Sequence, residues 1–205
     1  MQGLVIRNTG SSYMVKTDNS LVYECRVKGN FRIKGIKSTS PVAVGDRVSF
    51  VVMEDGIGWI TEIEERKNYI VRRPANLSKQ LHIIAANVDQ LILVVTIKHP
   101  ETSTVFIDRV LATAEAYRIP ATLVVNKCDL YSDEEWEYLN MLRILYEGIG
   151  YGFIVVSAET GENVDELKRR LNGKISVLSG NSGVGKSSLI NSISSDITVK
   201  TGEIS

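Results

Sequence analysis

A glycine-rich segment near the end of the chain has the residue types and spacing of a phosphate-binding loop. It fits the pattern GxxxxGK[ST] and lies between an apolar strand, KISVLSG, and a predicted helix, GKSSLINSIS. Glycines let the backbone wrap closely around phosphate oxygens, and the N–H groups at a helix start attract an anion. We expect Lys186 to contact the β and γ phosphates and the Ser187 hydroxyl to bind Mg²⁺. The predicted nucleotide-binding residues of this loop are Gly180, Asn181, Ser182, Gly183, Val184, Gly185, Lys186, Ser187 and Ser188.

A second motif, Asn126-Lys127-Cys128-Asp129, indicates which base the nucleotide carries. The Asp129 carboxylate can accept hydrogen bonds from the ring N–H and the exocyclic amine of guanine, and adenine offers neither donor there. ATP would leave this carboxylate unpaired, which costs about 1–3 kcal/mol, or more for a charged group. We expect Lys127 to lay its aliphatic stem along the base and Asn126 to tie this loop to the phosphate-binding loop.

A third, weaker signal is the dipeptide Ser157-Ala158, which follows the strand FIVV. We expect the Ala158 amide to donate to the guanine oxygen and Ser157 to hold its loop. The dipeptide alone says little, but all three motifs follow predicted parallel strands. Because open α/β sheets bind ligands at the carboxyl ends of their strands, we predict that GTP or GDP binds here with Mg²⁺.

The elements that must position these motifs alternate between apolar strands and amphipathic helices over residues 81–205. The strands are VDQLILVVTI, ATLVVNK, GFIVVSA and KISVLSG, and the helices are TVFIDRVLATAEAYR, SDEEWEYLNMLRILYEG, NVDELKRRL and GKSSLINSIS. Ser132 and Glu135 predict a capping box on the second helix, and Asn163 is expected to cap the third. The apolar face of the second helix is predicted at Trp136, Leu139, Leu142 and Leu145. We therefore predict an α/β domain, a mainly parallel sheet with helices on both faces.

The first part of the chain, residues 1–72, contains only short alternating or β-branched runs separated by turn residues. The runs LVIRN, YMVKT, LVYECRV, DRVSFVVME and GWITEIEE predict a small all-β closed barrel of the OB architecture. Residues 66–80 hold five cationic residues and a proline, so we interpret this stretch as leaving the barrel. Residues 73–80 are then the linker to the α/β domain.

Charge is distributed unevenly along the chain, although the formal net charge is zero. Residues 1–80 carry thirteen Lys and Arg against eight Asp and Glu, and the remainder carries eleven against sixteen. This asymmetry favours an anionic partner such as RNA for the barrel, and a well-solvated face is the alternative. Tyr23 and Phe31 are interpreted equally well as base-stacking residues or as barrel core. The predicted RNA-binding residues are Arg26, Lys28, Arg32 and Lys34.

Composition excludes several classes of protein. With 43% hydrophobic and 23% charged residues, the chain is neither disordered nor fibrous. No apolar run approaches the roughly 20 residues of a membrane span, and the N-terminus lacks a secretory signal, so we expect a cytoplasmic protein with no membrane partner. Cys25 and Cys128 lie far apart without a CxxC motif, which indicates reduced thiols. The two histidines, His82 and His99, have no catalytic or metal-binding grouping beside them.

The order of the three motifs, with NKxD and SA before the phosphate-binding loop, is unusual. In this order the sequence resembles the circularly permuted GTPases, most closely the ribosome small-subunit-dependent GTPase A family (RsgA, also called YjeQ). The resemblance covers the whole chain. It rests on VGDRVSF, RKNYIVRRP, ANVDQLILV, NKCDL, VSAETGENVDEL, and VLSGNSGVGKSSLIN running into TGEIS.

This resemblance implies a GTPase that the ribosome stimulates and that acts late in maturation of the small ribosomal subunit. It implies that the OB domain faces ribosomal RNA and that a zinc-binding domain follows the GTPase domain. The partners expected from it are the small subunit, its rRNA and a guanine nucleotide, and we expect a monomer.

The sequence departs from the family pattern in one respect. The family's switch segment, its DxPG motif and its zinc ligands do not occur up to Ser205. We therefore expect a portion of a longer protein, whose catalytic residue and zinc site lie beyond Ser205 and whose hydrolysis is poor in this chain alone. A DxxG sequence at Asp55-Gly56-Ile57-Gly58 is interpreted as a hairpin turn in the barrel.

Two other functions stay open from the sequence. One is an RNA-binding module that uses GTP or GDP only as a placement switch. The other is a P-loop ATPase or kinase, which Asp129 disfavours because adenine offers it no donor.

Overall fold

The computed structural model describes residues 1–27, 41–72 and 82–194, and only the backbone of Arg72 and His82. Lys28, Phe31, Arg32 and Lys34 and the predicted linker 73–80 lie outside the described residues. The chain forms two compact units, Met1–Val88 and Asp89–Ser205.

Five strands of the first unit close into a barrel. They are β1 (Gln2–Asn8), β2 (Tyr13–Lys16), β3 (Val22–Val27), β4 (Arg47–Val52) and β5 (Gly58–Ile63). The order around the barrel is β1-β2-β3-β5-β4, in which β3 and β5 are parallel and the other neighbours are antiparallel. This confirms the predicted OB-like barrel and all five of its strands.

Alternation of side chains along the strands fills the barrel. Residues at every second position point inward and are almost fully buried: Val5, Tyr13, Val15, Cys25, Val48, Phe50 and Ile60. Gly58 is required beside this core, because a Cβ there would lie 2.4 Å from the Cys25 Sγ atom. Tyr23 is half-buried, and its ring centroid lies 5.5 Å from that of Phe50. Of the two interpretations of Tyr23, the structure supports the barrel core.

The DxxG sequence forms the turn between β4 and β5, as predicted. Gly56 adopts a φ of +80°, and the Ile57 N–H donates to Asp55 Oδ1 at 3.0 Å. The turn is closed by a hydrogen bond from the Met53 N–H to the Ile57 carbonyl at 3.0 Å. The glycine and the aspartate thus serve the backbone of a hairpin.

A hairpin that the sequence did not predict follows the barrel. Strand β6 (Tyr69–Arg72) pairs antiparallel with β7 (His82–Ala86), so part of the stretch that we interpreted as leaving the barrel is a strand. The Asn68 side chain closes the pair, since it donates to the Val88 carbonyl at 2.8 Å and accepts from the Val88 N–H at 2.7 Å. The first unit accordingly extends to Val88, whereas the sequence pattern places the start of the second domain at residue 81.

A buried ion pair joins the residue before β4 to the segment after β5. Arg66 donates through Nε and Nη2 to the two oxygens of Asp46, at 2.6 Å each, and Nη2 also donates to the Pro41 carbonyl. Asp46 Oδ2 accepts in addition from the Ala43 N–H at 2.8 Å. The charge of Asp46 is therefore paired and hydrogen-bonded on both oxygens, as burial requires.

The second unit is a parallel sheet with helices on both faces, as predicted. Its strands are β8 (Gln90–Val95), β9 (Ala121–Val125), β10 (Gly152–Val155) and β11 (Ser176–Ser179), in the order β10-β9-β8-β11. Its helices are α1 (Thr104–Ala116), α2 (Asp133–Gly148), α3 (Val164–Leu171) and α4 (Lys186–Ile193), with a 3₁₀ turn at Cys128–Leu130. No helix in the described part of the chain is both long and apolar enough to span a bilayer.

Successive residues of the central strands face opposite layers of helices. On β8, Leu93 and Val95 pack in a cluster with residues of α1 and α2, while Ile92 and Val94 pack with residues of α3 and α4. All six residues of β8 are buried. The sheet is therefore a two-sided core, and its carboxyl edge is the place where loops can gather a ligand.

Two local predictions on the helices need correction. In α2 the buried residues are Leu139, Leu142 and Tyr146, whereas Leu145 is 53% exposed. Tyr146 is accepted in the core because its hydroxyl donates to Asp108 Oδ1 at 2.9 Å. Asn163 stands at the start of α3, but its side chain donates to the Val155 carbonyl at 2.9 Å and does not cap the helix.

The capping box on α2 is confirmed. The Ser132 Oγ atom accepts from the Glu135 N–H at 3.4 Å, and a Glu135 carboxylate oxygen accepts from the Ser132 N–H at 2.8 Å. The bond from Ser132, together with the ion pair to Lys98 at 2.9 Å, holds the pKa of Glu135 below its usual value.

Candidate nucleotide-binding site

The glycine-rich loop joins β11 to α4 in a conformation that requires its glycines. Gly180, Gly183 and Gly185 have φ angles of +147°, +80° and +90°. A Cβ on Gly180 would also lie 2.2 Å from the Val94 carbonyl oxygen. Gly180 therefore lets the loop curve tightly against the end of β8, and the other two glycines adopt positive φ angles without the strain of an L side chain.

Lys186 lies at the first position of α4 and closes the loop. Its Nζ atom donates to the Gly180 carbonyl at 2.9 Å and to the Asn181 carbonyl at 2.6 Å. The ammonium group and the start of α4 together make this edge of the sheet favourable for an anion.

Ser187 follows Lys186 on the first turn of α4 and is half-buried. Its hydroxyl is a hard, uncharged oxygen donor, the kind that suits a Mg²⁺ ion held mainly by phosphate oxygens and water. The residues of this turn thus fit Mg²⁺ through one protein ligand.

Asn126 connects all three sequence motifs. Its side chain is buried, its Nδ2 donates to the Val184 carbonyl at 2.9 Å, and its Oδ1 accepts from the Ala158 N–H at 3.0 Å. Its own N–H donates to the Val95 carbonyl at 2.9 Å. One amide group therefore ties the NKxD loop to the phosphate-binding loop, as its predicted role requires, and also to the loop after β10.

The fit between Asn126 and the glycine-rich loop leaves no room for a side chain on Gly185. A Cβ there would lie 2.2 Å from Asn126 Nδ2. Gly185 is thus constrained twice, once by its positive φ and once by the asparagine that packs against it.

Asp129 is exposed and is held from one side by a buried serine. Ser157 Oγ donates to Asp129 Oδ1 at 2.5 Å and accepts from the Thr160 N–H at 3.1 Å. Ser157 thus holds both its own loop and the carboxylate that was predicted to recognise guanine.

Ala158 has a partner that the sequence did not indicate. Its N–H, which we expected to donate to the base, donates to Asn126 Oδ1. A guanine oxygen at this place would share that amide with Asn126.

Lys127 adopts a left-handed backbone conformation with a φ of +67°, which costs an L-residue about 1–2 kcal/mol. Its Nζ donates to the His99 carbonyl, in the loop between β8 and α1. Lys127 is half-buried, so its stem lies at the site while its charged end is held by a neighbouring loop.

Beneath this loop lies the thiol of Cys128, 3.4 Å from a carboxylate oxygen of Glu162. Burial, and then the hydrogen bond and charge of Glu162, raise the pKa of the Cys128 thiol to about 12. The thiol is therefore protonated at neutral pH and acts as a small buried donor.

A cleft of about 290 Å³ opens among these loops. Its size is at the small end for ligand sites and suits a heterocycle. It is lined by Asn126, Lys127, Asp129, Leu130, Ala158, Glu159, Gly185 and Ser188. Leu130 and Glu159 were not among the predicted residues, and their position next to a motif residue is the one sequence signal for them.

Of the predicted RNA-binding residues, the structure describes Arg26. It is exposed on β3 of the barrel, and its backbone pairs with Trp59. An exposed cation agrees with either a phosphate contact or a solvated face.

Comparison with known families gives a match along the chain. The model of the RsgA GTPase family matches residues 63–205, and that of the RsgA N-terminal domain matches residues 2–60. The chain belongs to the RsgA GTPase family. The two RsgA models meet close to the end of β5, where the barrel ends.

Curated relatives carry the RsgA name. The "Small ribosomal subunit biogenesis GTPase RsgA 2" of Bacteroides thetaiotaomicron is 60% identical over 205 residues, which are 100% of this chain and 66% of that protein. The RsgA protein of Bacteroides fragilis is 58% identical with the same coverage. The chain thus spans 66% of the length of these RsgA relatives.

Two solved structures share the fold. YjeQ from Thermotoga maritima superposes with a TM-score of 0.80 at 38% identity, over 98% of this chain and 67% of that one. YloQ, described as a circularly permuted GTPase, superposes with a TM-score of 0.75 at 32% identity, over 95% of this chain and 64% of that one. The barrel followed by a permuted α/β domain is therefore the architecture of this chain.

Proposed function

We propose that this chain binds GDP and GTP with Mg²⁺ and belongs to a GTPase that acts in biogenesis of the small ribosomal subunit. The observation that carries the nucleotide proposal is the Asn126 side chain, which joins the base-reading loops to the phosphate-binding loop. The subunit proposal is supported by the names of relatives up to 60% identical.

In this proposal the base enters the cleft beside Asp129. The carboxylate accepts from the ring N–H and the exocyclic amine of guanine, and Ser157 keeps it oriented. Lys127 lies along the base, and the shared Ala158 amide meets the guanine oxygen. Base recognition is therefore a property of loops that are already bonded to one another.

The phosphates would lie against Gly180–Lys186 and the start of α4. Lys186 exchanges its two carbonyl partners for β and γ phosphate oxygens, which are stronger acceptors because they are charged. Ser187 would supply the protein ligand to Mg²⁺, and the ion would neutralise phosphate charge. The contribution of these residues to hydrolysis is to place the nucleotide and stabilise its charge.

Calorimetry with GDP, GTP, ATP and xanthosine diphosphate tests the nucleotide proposal. We expect GDP and GTP to bind and ATP not to bind. Asp129→Asn should weaken GDP and favour the xanthosine nucleotide, whose extra carbonyl needs a donor. Asp133→Asn, an exposed aspartate on α2 outside the cleft, is the matched control and should change neither. Comparable affinity of the wild-type chain for ATP and GDP would refute guanine recognition.

We also propose that the barrel contacts ribosomal RNA through Arg26, Lys28, Arg32 and Lys34. The support is the excess of cations in residues 1–80 and the exposed position of Arg26. Each phosphate contact adds about one unit to the slope of log affinity against log salt, so a quadruple alanine variant should flatten that slope.

A control for this variant removes cations from the other unit. Lys168, Arg169 and Lys174 are exposed on and after α3, and their replacement by alanine should leave the salt dependence unchanged. The measurement is binding of small ribosomal subunits at several salt concentrations. An equal effect of both variants would mean that the barrel cations act only through overall charge.

A further inference from the structure

Tyr131 joins two loops at the carboxyl edge of the sheet, although it belongs to none of the three motifs. It follows the 3₁₀ turn Cys128–Leu130, two residues after Asp129. Its hydroxyl accepts from the Ile97 N–H at 3.0 Å and donates to the Asn126 carbonyl at 2.5 Å. The phenol thus bridges the two segments that follow β8 and β9.

The bridge begins where the two strands stop pairing. The last backbone bond between them runs from the Asn126 N–H to the Val95 carbonyl at 2.9 Å. Beyond that bond, the Tyr131 hydroxyl takes the place of the missing backbone partner for both chain segments. Burial raises the pKa of Tyr131 to about 12, so the hydroxyl stays protonated at neutral pH.

The carbonyl that Tyr131 holds belongs to the peptide between Asn126 and Lys127. On one side of it, the Asn126 side chain bonds to Val184 and Ala158. On the other side, Lys127 has the left-handed conformation, whose unfavourable φ must be maintained by its surroundings. Rotation of this one peptide would move Lys127 and then Asp129 relative to the cleft.

A second contact links the same two loops. Lys127 Nζ donates to the His99 carbonyl, and His99 lies two residues beyond Ile97. The ring of Tyr131 is itself fixed, because it packs edge-on against Trp136 with centroids 6.3 Å apart. The loop after β8, which contains none of the three motifs, therefore takes part in holding the base-reading loop.

We propose that Tyr131 is a positioning residue for guanine recognition: its hydroxyl fixes the Asn126–Lys127 peptide and so sets Lys127 and Asp129 against the base. This rests on the proposed binding of guanine nucleotides in the same cleft. Tyr131 itself does not line the cleft, so it acts through the residues that do.

Tyr131→Phe removes the hydroxyl and keeps the ring. We expect GDP affinity to fall about tenfold, the scale of one or two lost hydrogen bonds. We also expect the preference for GDP over inosine diphosphate, which lacks the amine that Asp129 reads, to fall by about threefold or more.

Tyr146→Phe is the matched control. The Tyr146 hydroxyl likewise donates to a protein oxygen, that of Asp108, and the residue lies outside the cleft; Tyr146 is buried, whereas Tyr131 is half-buried. Both variants lose stability, but only Tyr131→Phe should change nucleotide affinity and base preference. Unchanged affinity and preference in Tyr131→Phe would show that Tyr131 is merely structural.

A measurement on the wild-type chain covers the case in which Tyr131→Phe does not fold. Exchange of the Ile97 amide hydrogen should slow about tenfold when GDP is added, because bound guanine stabilises the loop that Tyr131 holds. No change at Ile97 in a chain that binds GDP would overturn the proposal. If the wild-type chain bound GDP no better than ATP, the proposed function itself would fail, and this result differs from a failure of the Tyr131 proposal alone.

Discussion

The contact between Gly185 and Asn126 allows a quantitative test of how the site is assembled. Gly185→Ala introduces a Cβ whose nearest neighbour is Asn126 Nδ2, at 2.2 Å. The other atom within 4 Å is Asn126 Cγ, at 3.6 Å. The steric part of the substitution is therefore directed at one side chain.

The expected free-energy changes follow from the two constraints on Gly185. Its φ of +90° costs alanine about 1–2 kcal/mol. Displacing the Asn126 amide leaves the Val184 carbonyl and the Ala158 N–H without their partner, which adds about 2–3 kcal/mol. Gly185→Ala should thus lower the free energy of unfolding by about 3–5 kcal/mol.

In an Asn126→Ala background the same substitution should cost only the backbone strain, about 1–2 kcal/mol. The two changes should therefore be less than additive by about 2–3 kcal/mol in a double-mutant cycle. Gly161→Ala supplies the reference for strain alone, because Gly161 has a φ of +83° and a Cβ added there would meet no atom within 4 Å.

Urea unfolding of the second unit measures each corner of the cycle. Trp136 lies on α2 and Trp59 in the barrel, so Trp59→Phe leaves one tryptophan that reports on the α/β unit. If Gly185→Ala cost the same with and without Asn126, to within about 0.5 kcal/mol, the link between the two loops would be refuted.

Three further outcomes are expected. Lys186→Ala should lower GDP affinity by about 2–3 kcal/mol, the scale of a charge-assisted contact. Calorimetry measures this affinity, and a value equal to that of the wild type would contradict the expectation. Burial raises the pKa of the Cys25 thiol to about 11 and that of the Cys128 thiol to about 12. Near pH 8 both thiols should therefore react with a disulfide reagent far more slowly in the folded chain than in urea. Equal reaction rates in the two conditions would contradict the burial. The hydrogen bond from Ser132 and the ion pair to Lys98 lower the pKa of Glu135, so its stabilising contribution is present above its ordinary pKa and is lost as pH falls through the lowered value. The stability difference between wild type and Glu135→Gln, measured by urea unfolding, should therefore be full at neutral pH and shrink as pH falls below the ordinary pKa of a glutamate; a difference that stays constant with pH would contradict this.

The arrangement of strands and the three motifs could be predicted because the signals are local. Along each barrel strand, which is four to seven residues long, inward-facing and outward-facing side chains alternate. Each motif directly follows an apolar strand. The carboxyl ends of parallel strands meet at one edge of a sheet, so this rule alone places the three motifs together. For the same reason the tie from Asn126 to the phosphate-binding loop could be anticipated.

Features that depend on distant partners could not be read from the sequence. Tyr146 is buried in preference to Leu145 because Asp108, 38 residues away, satisfies its hydroxyl. Strand β6 pairs with a strand beyond the predicted linker, and the Arg72 to Pro74 stretch has the composition of a loop. The bridge by Tyr131 depends on Ile97, 34 residues earlier, and no spacing rule connects them.

The position of the phosphate-binding loop after the base-reading motifs also bears on the order in which the site forms during synthesis. Strand β11 pairs with β8, and the partners Gln90 and Ser176 are 86 residues apart in sequence. Asn126 leaves the ribosome 58 residues before Val184, the partner of its amide nitrogen. Because chains fold from the N-terminus as they are made and distant pairings form late, the base-reading loops emerge first and the phosphate-binding half completes them afterwards. The proposed nucleotide site of a nascent chain is therefore complete only when α4 has emerged and Asn126 meets Val184.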